Sequence, residues 1–539
     1  MLHYKFNCRS LLQATMFSIG LAAPLYYSYY TYANASDELV DAIVIGSGFG
    51  GAVAALRLGE AGIETIVLER GLAWPITSAQ DTFATYRKPD GRSTWLSPKT
   101  IMFEPVPIDI YTGVLERKDE YGISVLCGAG VGGGSLVYNG VTYQPPHKLF
   151  YQSLPRAISY EEMDKIYYPR VRAILQPSVI PEDILASSFY QSPRVFMEQA
   201  SRAGLPNHLL DIALDWDIVR QEINGTKVAS TIIGEIWYGI NSGSKKSLDQ
   251  NYLPRAEATG YVKILPLHIV TLITEAPSNS GYRFRVLSNQ INDSGEVIRR
   301  KSFACRYLFM AAGSMGTSAL LVKSKALGTL PRLNSNIGLF WGDNGDASGN
   351  RTGMPPNNPG EGGPAVAVIE HYDNPISPTA LVTTPIWNAP EGTLPSLSMG
   401  IPPAVGKFSY EAATDSVRLF WPSEFLEVQK VKQAAEFTYS LLDRANTTSS
   451  SQPTTMVTPG LTAHPLGGAV LGKACDFYGR VLGYRGLYVV DGALIAGSAG
   501  CTNPSFTIAA LAERCMDKFL TEIPERRFQN TPIQVKRNL

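Results

Sequence analysis

Gly46, Gly48 and Gly51 stand in the spacing G-x-G-x-x-G, and Glu69 follows eighteen residues after the last of them. Together these residues carry the chemistry of dinucleotide binding. The first glycine permits a tight turn, the second lets backbone approach a pyrophosphate, and the third lets a helix pack closely on a strand. An acid at Glu69 accepts hydrogen bonds from a ribose 2′-hydroxyl and repels a 2′-phosphate, which argues against NADP. The elements that must position these groups occur in order. Ala42 to Ile45 is a short apolar run, as a parallel strand buried on both faces requires. Ala52, Ala54, Ala55 and Leu56 continue as a small-residue helix whose free N–H groups point at the phosphates. Thr65 to Leu68 is a second strand ending in Glu69. The fingerprint alone does not choose FAD from NAD.

A second glycine cluster lies at 128–140, with six glycines in thirteen positions. Val131, Leu136 and Val137 interrupt it, so it is not a polar flexible linker. Its composition predicts backbone laid against a flat or phosphorylated ligand. Tyr307 to Met310, followed by Ala311-Ala312-Gly313, reads as another strand of the same sheet. So does Leu487 to Val490, which ends in Asp491-Gly492. A helix with proline at its start is predicted from Pro504 to Arg514. By contrast, Asn344 to Gly360 is rich in Gly, Pro and Asn and reads as a mobile loop.

The 539-residue chain balances 47 basic against 47 acidic side chains, so it offers no electrostatic reason to bind nucleic acid. At 45% hydrophobic residues it can bury a large core. Lys5 and Arg9, the apolar run Leu11 to Tyr27 and the A-x-A site Ala33-Asn34-Ala35 make residues 1–35 read as a signal peptide. Export follows, with the protein periplasmic, secreted or held at the cell surface by an uncleaved N-terminal anchor. Five cysteines remain beyond that segment, widely spaced, and neither C-x-x-C nor H-E-x-x-H occurs, so no metal is expected. Neither G-x-S-x-G nor a Walker lysine loop is present, which lowers the standing of hydrolases and NTPases.

Three further motifs are His464-Pro465-Leu466-Gly467-Gly468, Tyr478-Gly479-Arg480-Val481 and Asn503-Pro504-Ser505. With these and the stretch Phe408 to Asp415, the chain resembles the glucose–methanol–choline flavin oxidoreductases over nearly all of residues 40–520. The likeness is greatest to the members that oxidise sterols. It implies an α/β fold, with a Rossmann-like FAD-binding domain and a discontinuous sheet-plus-helix substrate domain. The FAD-binding part would take 36–145, 246–345 and 456–539, and the steroid-binding part 146–245 and 346–455. FAD would be noncovalent, with its pyrophosphate on Gly46, Gly48 and Gly51 and its adenosine ribose on Glu69. Gly134, Tyr138, Asn139 and Val141 would line the isoalloxazine. Val270 would meet the adenine end through its backbone, and Asp491 and Gly492 would hold the ribityl chain and flavin edge.

At the reacting end the resemblance implies catalytic roles for His464 and Asn503. An imidazole exchanges a proton near neutral pH, whereas an asparagine orients and polarises without titrating. The implied reaction takes a hydride from a secondary alcohol, the 3β-hydroxyl of a sterol, to flavin N5, and then reduces O2 to H2O2 or another acceptor. A transient contact with membrane to extract the sterol, and a monomeric state, complete this expectation. Sterol-oxidising relatives commonly hold a glutamate over the steroid to isomerise the 5-ene ketone to the 4-ene. Here that position falls on Val382, which cannot move a proton, so isomerisation is expected to be poor or the substrate to be a different alcohol. A redox-neutral flavoprotein on the same fold is the other alternative.

Overall fold

The computed structural model describes residues 37–102, 104–457 and 460–523, so the expected signal segment, 1–35, lies outside the described residues. The chain opens with β1 (Glu38–Ile45), α1 (Phe49–Glu60) and β2 (Thr65–Leu68). A hairpin of β3 (Leu115–Glu120) and β4 (Ile123–Gly128) precedes the glycine-rich loop, and β5 (Asn207–Leu209) lies far downstream. Next come β6 (Val262–Leu265), β7 (His268–Glu275), β8 (Phe284–Ile291), β9 (Val297–Met310) and α2 (Gly313–Ala326). Four strands follow: β10 (Ala347–Arg351), β11 (Ala367–His371), β12 (Thr379–Thr383) and β13 (Leu394–Met399). The hairpin β14 (Lys407–Glu411) and β15 (Ser416–Phe420) leads into α3 (Leu426–Ala445). The short strands β16 (Thr455–Met456) and β17 (Leu461–Thr462) precede β18 (Leu487–Val489) and the terminal helix α4 (Ser505–Glu522).

Two sheets organise these elements. The first runs β6-β2-β1-β9, with β18 on the C-terminal half of β9 and all these pairs parallel. The N-terminal half of β9 turns outward to pair antiparallel with β8, and β8 pairs with β7. Helices cover the parallel part, so residues 42–45 of β1 and the whole of β2 are buried on both faces and read as largely apolar runs. This is the α/β architecture expected from the fingerprint. The second sheet, β16-β10-β13-β12-β11-β5, is antiparallel wherever its strands pair. Helix α3 packs on this second sheet, with Tyr439 and Leu442 buried among Ile369 and Leu381.

Three findings differ from the sequence reading. Residues 347–351, inside the expected mobile loop, form β10, paired on one side with β13 and on the other with β16. Gly349 is there because the Tyr439 ring crosses it, and a Cβ would come within 2.6 Å of that ring. Glycine in this stretch therefore marks close packing in a strand. The helical segment 147–175, placed with the substrate part, packs instead into the core of the first sheet through Phe150, Tyr168 and Val171. The Tyr168 hydroxyl meets Thr507 of α4 at 2.9 Å. The hairpin β14–β15 likewise joins that core through Phe408 and Leu419.

Candidate active site

The turn after β1 begins the site. Gly46 sits at φ +95°, and a Cβ there would lie 2.3 Å from the Ala311 carbonyl oxygen. Only glycine fits that approach between β1 and the end of β9. Gly51 works differently: a Cβ would fall 2.1 Å from the Gly46 carbonyl oxygen, so it lets α1 lie against the turn and does not itself line the cavity. Gly48, Gly134 and Gly313 face open space, where side chains would intrude on whatever lies there. The N-terminus of α1 has no side-chain cap, leaving its first N–H groups free for an anion.

These features open on one cavity of about 450 Å³. Gly46, Gly48 and Glu69 line it near the phosphate turn, with Val270 farther out. Gly134, Tyr138, Asn139 and Val141 also line it, as do His464 and Asn503, and Asp491 and Gly492 line it where the Asp491 backbone lies against Gly50 of the phosphate turn. Of the residues predicted from sequence, Gly51 alone stands back from the wall. Val382 also does not line it; it is buried in β12, opposite Val368 and Leu397 in register.

Glu69 is more occupied than a simple ribose acceptor would be. Its carboxylate accepts from the Ser47 amide at 3.0 Å, the Ser47 hydroxyl at 2.7 Å and the Gly71 amide at 2.9 Å. The Ser47 hydroxyl also accepts from the Gly132 amide at 3.0 Å. Ser47 thereby joins the fingerprint turn to the glycine cluster 128–140, a role sequence reasoning missed although the residue lies inside the motif. Lys245 was missed as well. Its buried ammonium donates to the Leu136 and Ile236 carbonyls at 2.8 and 3.1 Å and stands 5.8 Å from the Tyr138 ring centroid. Burial lowers its pKa to about 7. No motif marks it, because its partners are backbone.

His464 lies between two polar groups. Its Nδ1 is 2.8 Å from the Asp346 carboxylate, and its Nε2 is 3.2 Å from Asn503 Nδ2. A carboxylate only accepts, so Nδ1 carries the proton and Nε2 presents a lone pair toward Asn503. Asp346 has no exposed side-chain surface. Sequence reasoning missed it because it stands 118 residues from His464, in a segment whose composition suggested only a loop. Asp491 is fixed by the Thr317 hydroxyl at 2.5 Å and the Ala493 amide at 2.9 Å, and burial pushes its pKa up to about 6.

The cavity fits FAD on its own features. Open glycines and an uncapped helix N-terminus suit a pyrophosphate. The buried Tyr138 hydroxyl, Asn139 Oδ1 and Asn503 Oδ1 have no partner within the described residues, as suits walls that await a polar ring system. Among the described residues, no group of three His, Cys, Asp or Glu side chains is arranged to hold a metal, and the five cysteines are free thiols.

A doubly wound cofactor sheet, a second antiparallel sheet and a His–Asn pair lining a dinucleotide cavity define a flavin-dependent alcohol oxidoreductase. The chain belongs to the GMC oxidoreductase family, whose models match residues 40–339 and 412–512 and whose members generally bind FAD and oxidise alcohols. It is 26% identical to the cholesterol oxidase of Mycobacterium tuberculosis, over 88% of this chain and 90% of that one. It is 25% identical to the cholesterol oxidase of Acinetobacter baumannii, over 88% and 93%. Long-chain-alcohol oxidase FAO1 of Arabidopsis thaliana is 24% identical, over 53% of this chain and 34% of its own length. Pyridoxine 4-oxidase from Mesorbium loti shares the fold at a TM-score of 0.62 and 13% identity, covering 90% of this chain and all of that one.

Proposed function

We propose that the protein oxidises the 3β-hydroxyl of a sterol, with noncovalent FAD as cofactor and O2 as the final electron acceptor. The observation that carries this reading is the placement of His464 Nε2 beside Asn503 in the wall of the cofactor cavity. The cholesterol oxidases of two bacteria, similar over most of the chain, support the sterol. FAD, when bound, supplies the hydride acceptor and passes the electrons on to oxygen. The protein's own residues do the rest. Asn503 donates to the substrate oxygen through Nδ2 and fixes it. His464 Nε2 accepts the hydroxyl proton, and the imidazolium so formed stays paired with Asp346. Gly134, Tyr138 and Val141 hold the ring system that the carbinol C–H must face.

The ketone should leave mainly as the 5-ene. Val382, Val368 and Leu397 form an apolar row across three strands, and none of them carries a proton. Glu370 lies on the same face but accepts from the Tyr143 and Tyr372 hydroxyls. The positive start and apolar run of residues 1–35 support action outside the cytoplasm, with sterol taken from a membrane by a monomer. Among the described residues no helix is long and apolar enough to cross a membrane.

Anaerobic titration of the yellow protein with cholesterol and with simple long-chain and secondary alcohols, followed by air, tests the reading. Bleaching by the sterol and recovery with H2O2 in air are expected. Bleaching by the other alcohols only would replace the sterol, and no bleaching by any of them would indicate redox-neutral chemistry. Absorbance of the conjugated enone reports isomerisation.

A further inference from the structure

We propose that Asp346 and Asp343 are positioning residues for His464: Asp346 holds the imidazole as an Nε2 base, and Asp343, buried in the same turn, adds a second negative charge near that pair when it loses its proton. The proposal rests on His464 being the base of the reaction above, and it adds two positioning residues that act through it.

Asp346 is held by three donors. Its Oδ1 accepts from His464 Nδ1, and its Oδ2 from the Thr462 hydroxyl at 2.8 Å and the Ala463 amide at 3.1 Å. Together they fix the orientation of a carboxylate with no exposed side-chain surface. Asp343 lies in the same tight turn, with the Asp346 amide donating to the Asp343 carbonyl at 3.1 Å. Its own carboxyl receives a single amide, that of Gly345, at 3.0 Å. A carboxyl buried near another carboxylate holds its proton more tightly than one in water. Burial first, and then the Asp346 charge, push Asp343 up to about 7.

The surroundings add little to offset this. The loop containing Thr462 contributes His464. The segment 495–503, tied to Asn344 by Gly497 and Ala499, brings only the Cys501 thiol, which burial keeps protonated. β13 and Gly400, bonded to the Asn344 carbonyl, bring no titratable group, and α3 presents Val431 to Gly345. Neither carboxyl has a lysine or arginine ion-pair partner among the described residues. Asp343 is therefore only partly ionised at neutral pH. As Asp343 loses its proton with rising pH, a further negative charge develops in the turn that carries Asp346. Flavin reduction should then show a step near neutral pH that belongs to Asp343.

The test uses the FAD-loaded protein, the alcohol it oxidises and two readouts. These are the rate of anaerobic flavin reduction from pH 5 to 9, and the ¹⁵N shifts of His464, assigned by loss of its signals in His464→Ala. Wild type should show protonated Nδ1 and bare Nε2 at pH 8, and the opposite tautomer would overturn the proposal without any variant. Asp346→Asn should invert the tautomer and slow reduction by about 10²-fold or more. A native rate or an unmoved tautomer in that variant would overturn the role of Asp346. Asp343→Asn, isosteric with the protonated acid, should keep the tautomer and lose the near-neutral step, and an unaltered pH profile would overturn its part. If His464→Ala reduces flavin at the native rate, the base assignment itself fails, and that outcome is distinct from either aspartate result.

Discussion

Asn503 Nδ2 and His464 Nε2 are 3.2 Å apart, although 39 positions separate the two residues. A hydroxyl seated beside the pair can replace this contact, receiving a hydrogen bond from Nδ2 and giving its own to Nε2. Replacing Asn503 by Leu removes the donor and keeps the branched shape of the side chain. Removing one preorganised donor to a reacting oxygen typically costs about 10²–10³-fold. Stopped-flow bleaching of FAD-loaded Asn503→Leu should therefore be slower by about that factor, with FAD content unchanged. His464→Ala should lose about 10²–10⁴-fold. A native bleaching rate in either variant would remove that residue from the chemistry.

Glu69 supports the cofactor by fixing the turn through Ser47 as well as by facing the cavity. In Glu69→Gln, one carboxyl oxygen becomes an amide donor that must confront an N–H or O–H. We expect apoprotein titrated with FAD, followed by flavin fluorescence quenching, to bind about 10–100-fold more weakly, which is the loss of one or two charge-assisted hydrogen bonds. Ser47→Ala should show a smaller loss in the same direction, because the Ser47 amide still donates to Glu69. Equal affinity in Glu69→Gln would mean that the carboxylate supports the cofactor neither through the turn nor by facing the cavity.

How far the sequence could be read followed from how local each signal is. The strand–glycine–helix–acid series occupies one continuous stretch, and its parts lie where their spacing requires. His464 and Asn503 were legible because each sits in a short motif beside proline. Asp346 was not, because its partner is 118 residues away and its neighbours Asn344 and Gly345 are turn formers. Burial, not chemistry, then makes Asp346 decisive. The same holds for β10, whose Gly349 makes room for the Tyr439 ring, and for Lys245, which reaches only carbonyls. The helices at 147–175 were misplaced because their apolar residues show that they pack on something, but not on what.

Glu235 gives a pH dependence with a definite sign. Its buried carboxylate accepts from the Tyr86 amide, and burial raises its pKa to about 7. The unfolded chain should titrate this group near 4.3. The folded state thus binds the proton more tightly, and the stabilising contribution present below about pH 4.3 is lost as pH rises through 7. Glu235→Gln stays neutral and keeps an acceptor for Tyr86. Urea denaturation should find the variant more stable than wild type by about 1–3 kcal/mol at pH 8, with a smaller difference at pH 5. A difference independent of pH would show that Glu235 does not titrate between the two.

The angle of α1 over the phosphate turn depends on a buried ion pair with α4. Arg57 Nε and a terminal guanidinium nitrogen meet the two Glu513 oxygens at 2.7 and 2.8 Å, and the Tyr252 hydroxyl adds a third donor at 3.2 Å. Glu513 has no exposed side-chain surface, whereas Arg57 keeps a fifth of its own and also reaches Glu60. Removing the acid would leave the guanidinium half-buried and the Tyr252 hydroxyl unpaired. Breaking such a pair costs about 3–5 kcal/mol. Glu513→Ala should approach that loss in urea denaturation. Arg57→Ala leaves the fully buried carboxylate as the unpaired charge and should cost at least as much. Glu513→Gln should cost less than either, because it retains the shape and one acceptor. The double replacement Arg57→Met with Glu513→Leu removes both charges and should recover much of the stability. If the double variant were as unstable as the single ones, the cost would lie in losing the pair itself and not in leaving one buried charge unpaired.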